Sequence, residues 1–346
     1  MILSAGLGSR LRPLTADLPK PLVPILNRPL LWYLIVSLRA AGIHEIVINL
    51  HYRGEQIRTW LGGGESLGVE VTYSQESELL GSAGGVRRVR DFFGDEPALI
   101  IHGDILFDVD LREVIQYHLC RNAQATVVLH PAYHRYSYGV IRVNAHGDIS
   151  QFVDQQAPWV SGPLSDTVFT GVQILDPAVL DAIPAECVAT LTADVYPHLL
   201  TRAWRFYGYV MQGYWSDLGT PRRYWEANMD IVSGRVTPAG IAPQDGIHRA
   251  APHQLPWFAG NHVQPSVVLG AAAEVASEAS IGPEVILGEG CRVADGVHIV
   301  QSVLWPRVHV EAGVTIARSI ITRDITIPAG SRLVDKIASA SGITEL

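Results

Sequence analysis

Cysteine is scarce and scattered: Cys120, Cys187 and Cys291 are the only three in 346 residues. They form no CxxC pair and no even-numbered framework, so neither a disulfide scaffold nor a zinc site is expected. The 13 histidines make no HxH or HExxH cluster, which argues against a histidine-bound metal. Basic charge is also in short supply. Lys and Arg number 26 against 34 Asp and Glu, a formal net charge of -8. Nucleic acid and anionic membranes both need a basic surface, so neither is an expected partner. Small phosphorylated substrates remain open, because they need only a local basic pocket. The most apolar stretch, 22–38, is broken by Pro24, Asn27, Arg28 and Pro29, and no bilayer-spanning helix fits it. The opening residues carry no basic segment followed by an apolar one, unlike a secretory signal. Cytoplasm is the expected location.

What is present is ample core material, with hydrophobic residues at 48%. The length suggests roughly two domains, on a prior of about 150 residues each. Segments 43–50, 69–74, 98–102 and 125–130 are rich in Val and Ile and read as strands. Leu30, Leu31, Leu34, Ile35, Leu38 and Ala41 recur at helical spacing, with Gly42 as the stop, and 111–122 is a second helix. Strands separated by helices predict an α/β fold: a Rossmann-like, mostly parallel sheet with helices on both faces. Such sheets bind ligands at the carboxyl ends of their strands.

The pattern changes after Ser233. Residues 236–260 hold Pro238, Pro243, Pro252 and Pro256 and read as a linker. A six-residue repeat follows at Leu269, Val275, Ile281, Leu287, Val293 and Ile299, then resumes one residue short at Val310 and Ile316, and again at Ile327. Inward apolar residues at a period of six suit a triangular coil in which each hexad forms one short side. This portion resembles the left-handed parallel β-helix of hexapeptide-repeat proteins. The expected domains are therefore 1–235, a linker at 236–260, a β-helix at 261–335 and a tail at 336–346. Cys291 falls on an inward position and is expected to be a packed thiol. Leu304, Trp305 and Pro306 are candidates for a contact through which the β-helix self-associates or packs on the first domain. A homo-oligomer is expected.

The first predicted strand, 1–4, runs into Gly6-Leu7-Gly8-Ser9-Arg10-Leu11-Arg12-Pro13-Leu14-Thr15. Alternate glycines let backbone N–H groups turn toward an anion. A dinucleotide fingerprint would need a third glycine where Leu11 stands, and a Walker-type loop would need Gly-Lys-Ser/Thr; both fail. Further on, Pro19-Lys20-Pro21-Leu22 fixes an ammonium on an extended backbone between two prolines. Together these two stretches resemble the opening motif of the sugar-phosphate nucleotidylyltransferases, a family that includes mannose-1-phosphate guanylyltransferases and glucose-1-phosphate thymidylyl- and uridylyltransferases. The resemblance covers nearly the whole chain, because many members carry a hexapeptide-repeat domain after the catalytic one. It implies that Ala5, Gly6, Gly8 and Ser9 cradle the nucleotide's phosphates. Arg10 would neutralise the departing pyrophosphate, and Lys20 would contact phosphate at the reacting centre.

His102-Gly103-Asp104 closes a predicted strand, and Trp215-Ser216-Asp217 precedes Thr220-Pro221, an N-cap followed by proline at the first helical position. Both stretches resemble the family's metal-binding segments, with Asp104 and Asp217 as ligands of Mg2+. Two carboxylates suffice for magnesium, which fills its remaining sites with phosphate and water. Asp108 and Asp110 read as loop and helix-start charges. Gln75, Gly81 and Ser82 lie in segments resembling the nucleoside-binding ones, and Thr170 and Gly171 in one that contacts sugar hydroxyls. One departure stands out. The family's Glu-Lys-Pro, whose lysine holds the sugar's phosphate, is replaced after 148–153 by Asp154-Gln155-Gln156, with Arg142 a candidate substitute.

The implied reaction joins a nucleoside triphosphate to a sugar 1-phosphate. Mannose 1-phosphate with GTP is the first expectation and glucose 1-phosphate with UTP or dTTP the second. A non-catalytic regulatory subunit would be expected to lose Arg10, Lys20 or the aspartates, and all four are present. An acyltransferase using His298 and His309 is the remaining alternative, on a repeat short for a second enzyme.

Overall fold

The computed structural model describes residues 1–131, 138–157, 159–202, 204–237, 262–263 and 266–346. The expected linker at 236–260 lies almost wholly outside them. Two compact units emerge. One comprises Met1–Leu7, Pro19–Pro21 and Leu34–Asp217; the other comprises Gly8–Leu18, Leu22–Tyr33 and Leu218–Leu346. Among the described residues no helix is long and apolar enough to cross a membrane.

The first unit is built on a sheet whose central strands are parallel. β1 (Ile2–Leu3) lies between β2 (Glu45–Leu50) and β4 (Ala98–His102), and β3 (Glu70–Gln75) pairs outside β2. These strands match the Val- and Ile-rich runs of the sequence, and β2 is buried from Ile46 onward. β5 (Ile105–Phe107) follows β4, and β6 (Ala125–Pro131) follows the helix α3 (Leu111–Cys120). The helices α1 (Leu30–Ala40) and α2 (Gly81–Arg88) precede it in the chain. Asp110 caps α3 by accepting from Arg112 N–H at 2.9 Å, the helix-start duty read from the sequence.

An antiparallel arm completes the sheet. β7 (Val140–Asn144) and β8 (Ile149–Phe152) form a hairpin on the long β9 (Leu164–Leu175). β9 runs antiparallel to both β4 and β6, while β10 (Phe206–Val210) returns parallel to β6. β11 (Trp215–Asp217) pairs antiparallel with β5. The pairing register shifts between Phe169 and Gln173 of β9, and Gly171, at φ +91°, sits in that shift. Only glycine takes this conformation without strain.

The second unit carries α4 (Pro221–Val232), with Thr220 as its N-cap and Pro221 in the first turn. Beyond it, short strands repeat in three parallel sheets, consistent with a β-helix. Ile281, Leu287, Val293, Ile299, Val310, Ile316 and Ile327 are all buried in one core, with Leu269 and Val275 packed against it. The break in the hexads has a geometric cause. Val267 pairs with Val285, one rung of 18 residues, whereas Val285 pairs with Ser302, a rung of 17. Each later rung loses one residue at the corner after Ile299 and Ile316.

The corners carry their own ladders. Glu284, Gln301, Arg318 and Asp335 all adopt left-handed φ angles, and Arg318 donates two hydrogen bonds to Asp335 at 2.8 and 2.6 Å. Inside, Ser319 N–H donates to Ser302 Oγ, and Lys336 N–H to Ser319 Oγ, both at 3.1 Å. Residues 336–346, expected as a tail, instead form the strands Lys336–Ser339 and Gly342–Glu345, the first of them pairing with Ile320 and Ile321. Cys291 is fully buried, as its inward position requires, and burial pushes its thiol pKa up.

Trp305 makes one of the two contacts expected of it: it packs on α4, which falls within the expected first domain, 1–235. It is 3% exposed and Leu304 is fully buried, so neither is available to a second copy. The Trp305 indole donates to the Tyr224 hydroxyl of α4 at 2.9 Å, and Tyr224 donates in turn to Pro24 O at 2.6 Å. The neighbouring Trp225 indole donates to Gln301 O at 2.7 Å. The sheet face that looked open in sequence is covered by the chain's own helix. Trp305→Ala should therefore lower stability by about 3 kcal/mol or more, read as a shifted denaturant midpoint, with no change of oligomeric state by sedimentation.

Candidate active site

β1 is only two residues long, and the chain leaving it is held by its neighbours. Gly103 N–H donates to Leu3 O at 2.8 Å. A Cβ on Gly103 would stand 2.7 Å from Leu3 O and 2.7 Å from Ser4 Oγ, so only glycine permits the approach. Asp104 is thereby set beside the end of β1. Register then brings in the second aspartate: Asp217 pairs with Ile105, one residue after Asp104. The carboxylates, 113 residues apart in sequence, thus sit on neighbouring backbone positions.

Lys20 reaches the same place. It is 8% exposed, and its Nζ lies 2.6 Å from Asp104 Oδ2. Lys20 and Lys336 are the chain's two lysines. Asp217 Oδ1 accepts from the Tyr138 hydroxyl. The Tyr138 ring packs edge-on against Trp215 at 5.4 Å, and the Trp215 indole donates to Thr170 O at 2.8 Å. His102 stands edge-on to Phe169 at 5.6 Å. Burial holds the His102 pKa below its ordinary value; the Asp104 charge works against this and Lys20 adds to it. The cluster therefore offers an ammonium, two carboxylates and a neutral imidazole side by side.

The other predicted residues divide. Ala5 is buried and Gly6 exposed, and a Cβ on Gly6 would meet open space; no protein atom imposes glycine there. Gly8, Ser9 and Arg10 fall in the second unit. Gly8 has φ +63°, its carbonyl accepts from the Thr15 hydroxyl at 2.8 Å, and a short 3-10 turn, Ser9–Leu11, follows. Arg10 is exposed and makes no ion pair with any described residue. Gln75 is exposed at the end of β3.

Three residues carry contacts of their own within the protein. Gly81 has φ +73°, and a Cβ there would lie 2.3 Å from Ala189 O, so its close neighbour is the protein's own backbone. Ser82 Oγ accepts from Leu191 N–H at 2.8 Å and fastens the same segment. Thr170 is 1% exposed, its hydroxyl donating to Val128 O at 2.8 Å; the side chain faces the interior. Arg142 pairs with Asp166 across the β7–β9 ladder at 3.1 Å. Asp108 accepts from Tyr214 N–H at 2.8 Å, the loop duty read for it. Tyr138 was not foreseen, since no motif marks it. Among the described residues no group of three His, Cys, Asp or Glu side chains could hold a metal.

The model of the family described as nucleotidyl transferase matches residues 1–234, and one described as GMPPB C-terminal domain matches 263–343. The chain belongs to the nucleotidyl transferase family. It is 32% identical to a UTP–glucose-1-phosphate uridylyltransferase of Synechocystis, over 97% of this chain and 86% of that one. It is 29% identical to mannose-1-phosphate guanylyltransferase 1 of Arabidopsis thaliana, over 96% and 88%. The fold is also that of HddC from Yersinia pseudotuberculosis, with TM-score 0.57 at 23% identity, over 66% of this chain and 97% of that one.

Gly171 is the most exacting position of the cluster. A Cβ would lie 2.9 Å from His102 Cγ and 3.0 Å from His102 Cβ, on a backbone already at φ +91°. Gly171→Ala should lower stability by about 1–3 kcal/mol, seen in thermal unfolding, and displace the His102 ring, seen as a shifted imidazole resonance.

Proposed function

We propose that the chain transfers a nucleotidyl group from a nucleoside triphosphate to a sugar 1-phosphate and releases pyrophosphate, with GTP and mannose 1-phosphate as the preferred pair. The observation that carries this reading is the buried Lys20 ammonium, 2.6 Å from Asp104, beside Asp217 at the strand ends. Two anions must be brought together, and a buried cation at a strand terminus is suited to that. The support for the guanylyl and mannosyl choice is that relatives of that kind, like the matched C-terminal family, run through both halves of the chain. Glucose 1-phosphate with UTP is the second reading, favoured by the uridylyltransferase relative.

A sugar-phosphate oxygen attacks the α-phosphorus, the bond from that phosphorus to the bridging oxygen breaks, and pyrophosphate leaves with the electron pair. A phosphate monoester has its second pKa near 6, so the nucleophile is already ionised at neutral pH and no general base is needed. Lys20 holds a phosphate oxygen at the reacting centre, and Arg10 neutralises the pyrophosphate. The open face at Gly6 and the turn at Gly8 and Ser9 receive phosphate through backbone N–H groups, and Ala5 backs them. Gln75 and the backbone of the Gly81–Ser82 turn border the nucleoside, and Gly171 with its backbone borders the sugar.

Asp104 and Asp217 fit Mg2+. Both are hard oxygen donors on adjacent backbone positions, and one of them already draws in a cation, the Lys20 ammonium. Bound magnesium would supply positive charge on the reacting phosphate oxygens. The parallel sheets of the second unit are read as a left-handed β-helix of hexapeptide repeats, supported by the buried hexad positions and the rungs of 17 and 18 residues.

A matrix of nucleoside triphosphates against sugar 1-phosphates, scored by pyrophosphate release, should peak at GTP with mannose 1-phosphate. A peak at UTP with glucose 1-phosphate would select the second reading, and an empty matrix would sink both. Asp104→Ala and Asp217→Ala should each cut turnover by roughly a hundredfold or more and weaken magnesium binding measured calorimetrically. Near-normal turnover in either variant removes that aspartate from the assignment.

A further inference from the structure

The two loops assigned to the nucleotide are joined through the interior of the first unit. Asn49 of β2 is 3% exposed, and its Oδ1 accepts from Ser4 N–H at 2.7 Å. That contact fixes the orientation of the amide, because a backbone N–H can only donate. Asn49 Nδ2 then donates to Glu76 Oε1 at 2.7 Å. Glu76 Oε2 accepts from Leu80 N–H at 3.2 Å. Ser4 directly precedes the Ala5-Gly6 turn, and Leu80 directly precedes Gly81-Ser82. One amide and one carboxylate therefore connect the two turns.

The surroundings are shaped to this pair. Glu76 is 1% exposed and has no cation partner among the described residues. A buried carboxylate is costly unless its oxygens are hydrogen-bonded, and here each oxygen serves a different end of the relay. Gly85 of α2 makes room: a Cβ there would stand 2.9 Å from Glu76 Oε1 and 3.0 Å from Asn49 Nδ2. The Glu76 backbone is fixed as well, its N–H donating to Leu50 O at 2.8 Å and its carbonyl lying 3.0 Å from His51 Nδ1. The carboxylate has little freedom to accommodate a change in either loop.

We propose that Asn49 and Glu76 are positioning residues, which hold the Ser4–Gly6 and Leu80–Ser82 turns at one separation so that they grip a nucleoside triphosphate together. The proposal rests on the nucleotide reading of those two turns. Its signature is polarity. Both terminal N–H groups donate inward, so the relay must contain one amide and one carboxylate, in either order.

Asn49→Asp faces two carboxylates. Glu76→Gln leaves one N–H pointed at another, whichever way the new amide turns. Each single variant should raise the Kd for the nucleoside triphosphate, measured by calorimetry without sugar phosphate, by roughly tenfold or more. KM for the triphosphate should rise in parallel, with KM for the sugar 1-phosphate unmoved. The double variant reverses the relay. The new carboxylate at position 49 accepts from Ser4 N–H and from the new amide at 76, whose oxygen accepts from Leu80 N–H. It should bind within about threefold of the wild type, a coupling read directly from the cycle.

Lowered melting temperature with unchanged Kd in the single variants overturns the proposal, as does a double variant no better than the worse single one. Should the single variants fail to fold, the double variant decides alone: restored folding and binding are expected, and failure refutes the relay. A wild-type protein that binds no nucleoside triphosphate would instead sink the nucleotide reading, and the relay's purpose with it.

Discussion

Everything at the strand ends is organised by the Lys20–Asp104 ion pair. A lysine buried to this degree must find an anion, since an unpaired ammonium in the interior is strongly disfavoured. Lys20 opens a short 3-10 turn, Lys20–Leu22, where an extended backbone was expected, and the rings of Pro19 and Pro21 leave it few alternative directions. Asp104 answers only because Gly103 lets the chain pass within hydrogen-bond distance of Leu3. The second carboxylate follows by register and not by attraction: β5 and β11 pair so that Asp217 opposes Ile105. A cation and two acids are thus gathered by one glycine, two prolines and three residue pairs of antiparallel ladder.

Much of this was legible in the sequence, for physical reasons that differ by element. The run 98–102 is a strand at its expected bounds because it is short and apolar and ends where Gly103 begins a turn. The buried hexad positions were legible because a period of six has few competing explanations. The seating of the arm on β9 was not, since no local spacing encodes which strand the hairpin joins. Thr170 was misplaced for the same reason. On a strand its hydroxyl can face either side, and the choice is made by the Val128 carbonyl on β6. Trp305 was legible as a docking residue, being a large aromatic beside a repeat, but the element it meets was not. Nothing in 221–232 announces that Tyr224 will accept its indole N–H.

The glycines separate two duties that a sequence presents alike. At Gly103, Gly171, Gly81 and Gly85 a methyl group would strike the protein itself, so these positions serve internal packing. At Gly6 a methyl group would strike nothing, so packing does not require glycine there. Motif reading assigned ligand contact to Gly6 and Gly81 together. Only at Gly81 does the protein's own backbone, Ala189 O, already exclude a side chain, while Ser82 fastens the adjacent Leu191. A signature glycine is therefore weak evidence for a ligand until its missing Cβ has been placed.

β1 shows how so short a strand can anchor the turn that follows it. Two residues of ladder contribute little stability alone, yet Ile2 and Leu3 are paired on both sides, to β2 and to β4. Beyond the ladder, Leu3 O takes the Gly103 N–H and Ser4 N–H is taken by Asn49. Each neighbour that fixes the turn also carries a functional group of its own: β4 leads to Asp104, and β2 leads through Asn49 to Glu76. The turn, the acidic pair and the second loop are consequently set by the same few backbone contacts. A distortion in one has no route around the others, and that shared constraint makes a rigid site from segments far apart in the chain.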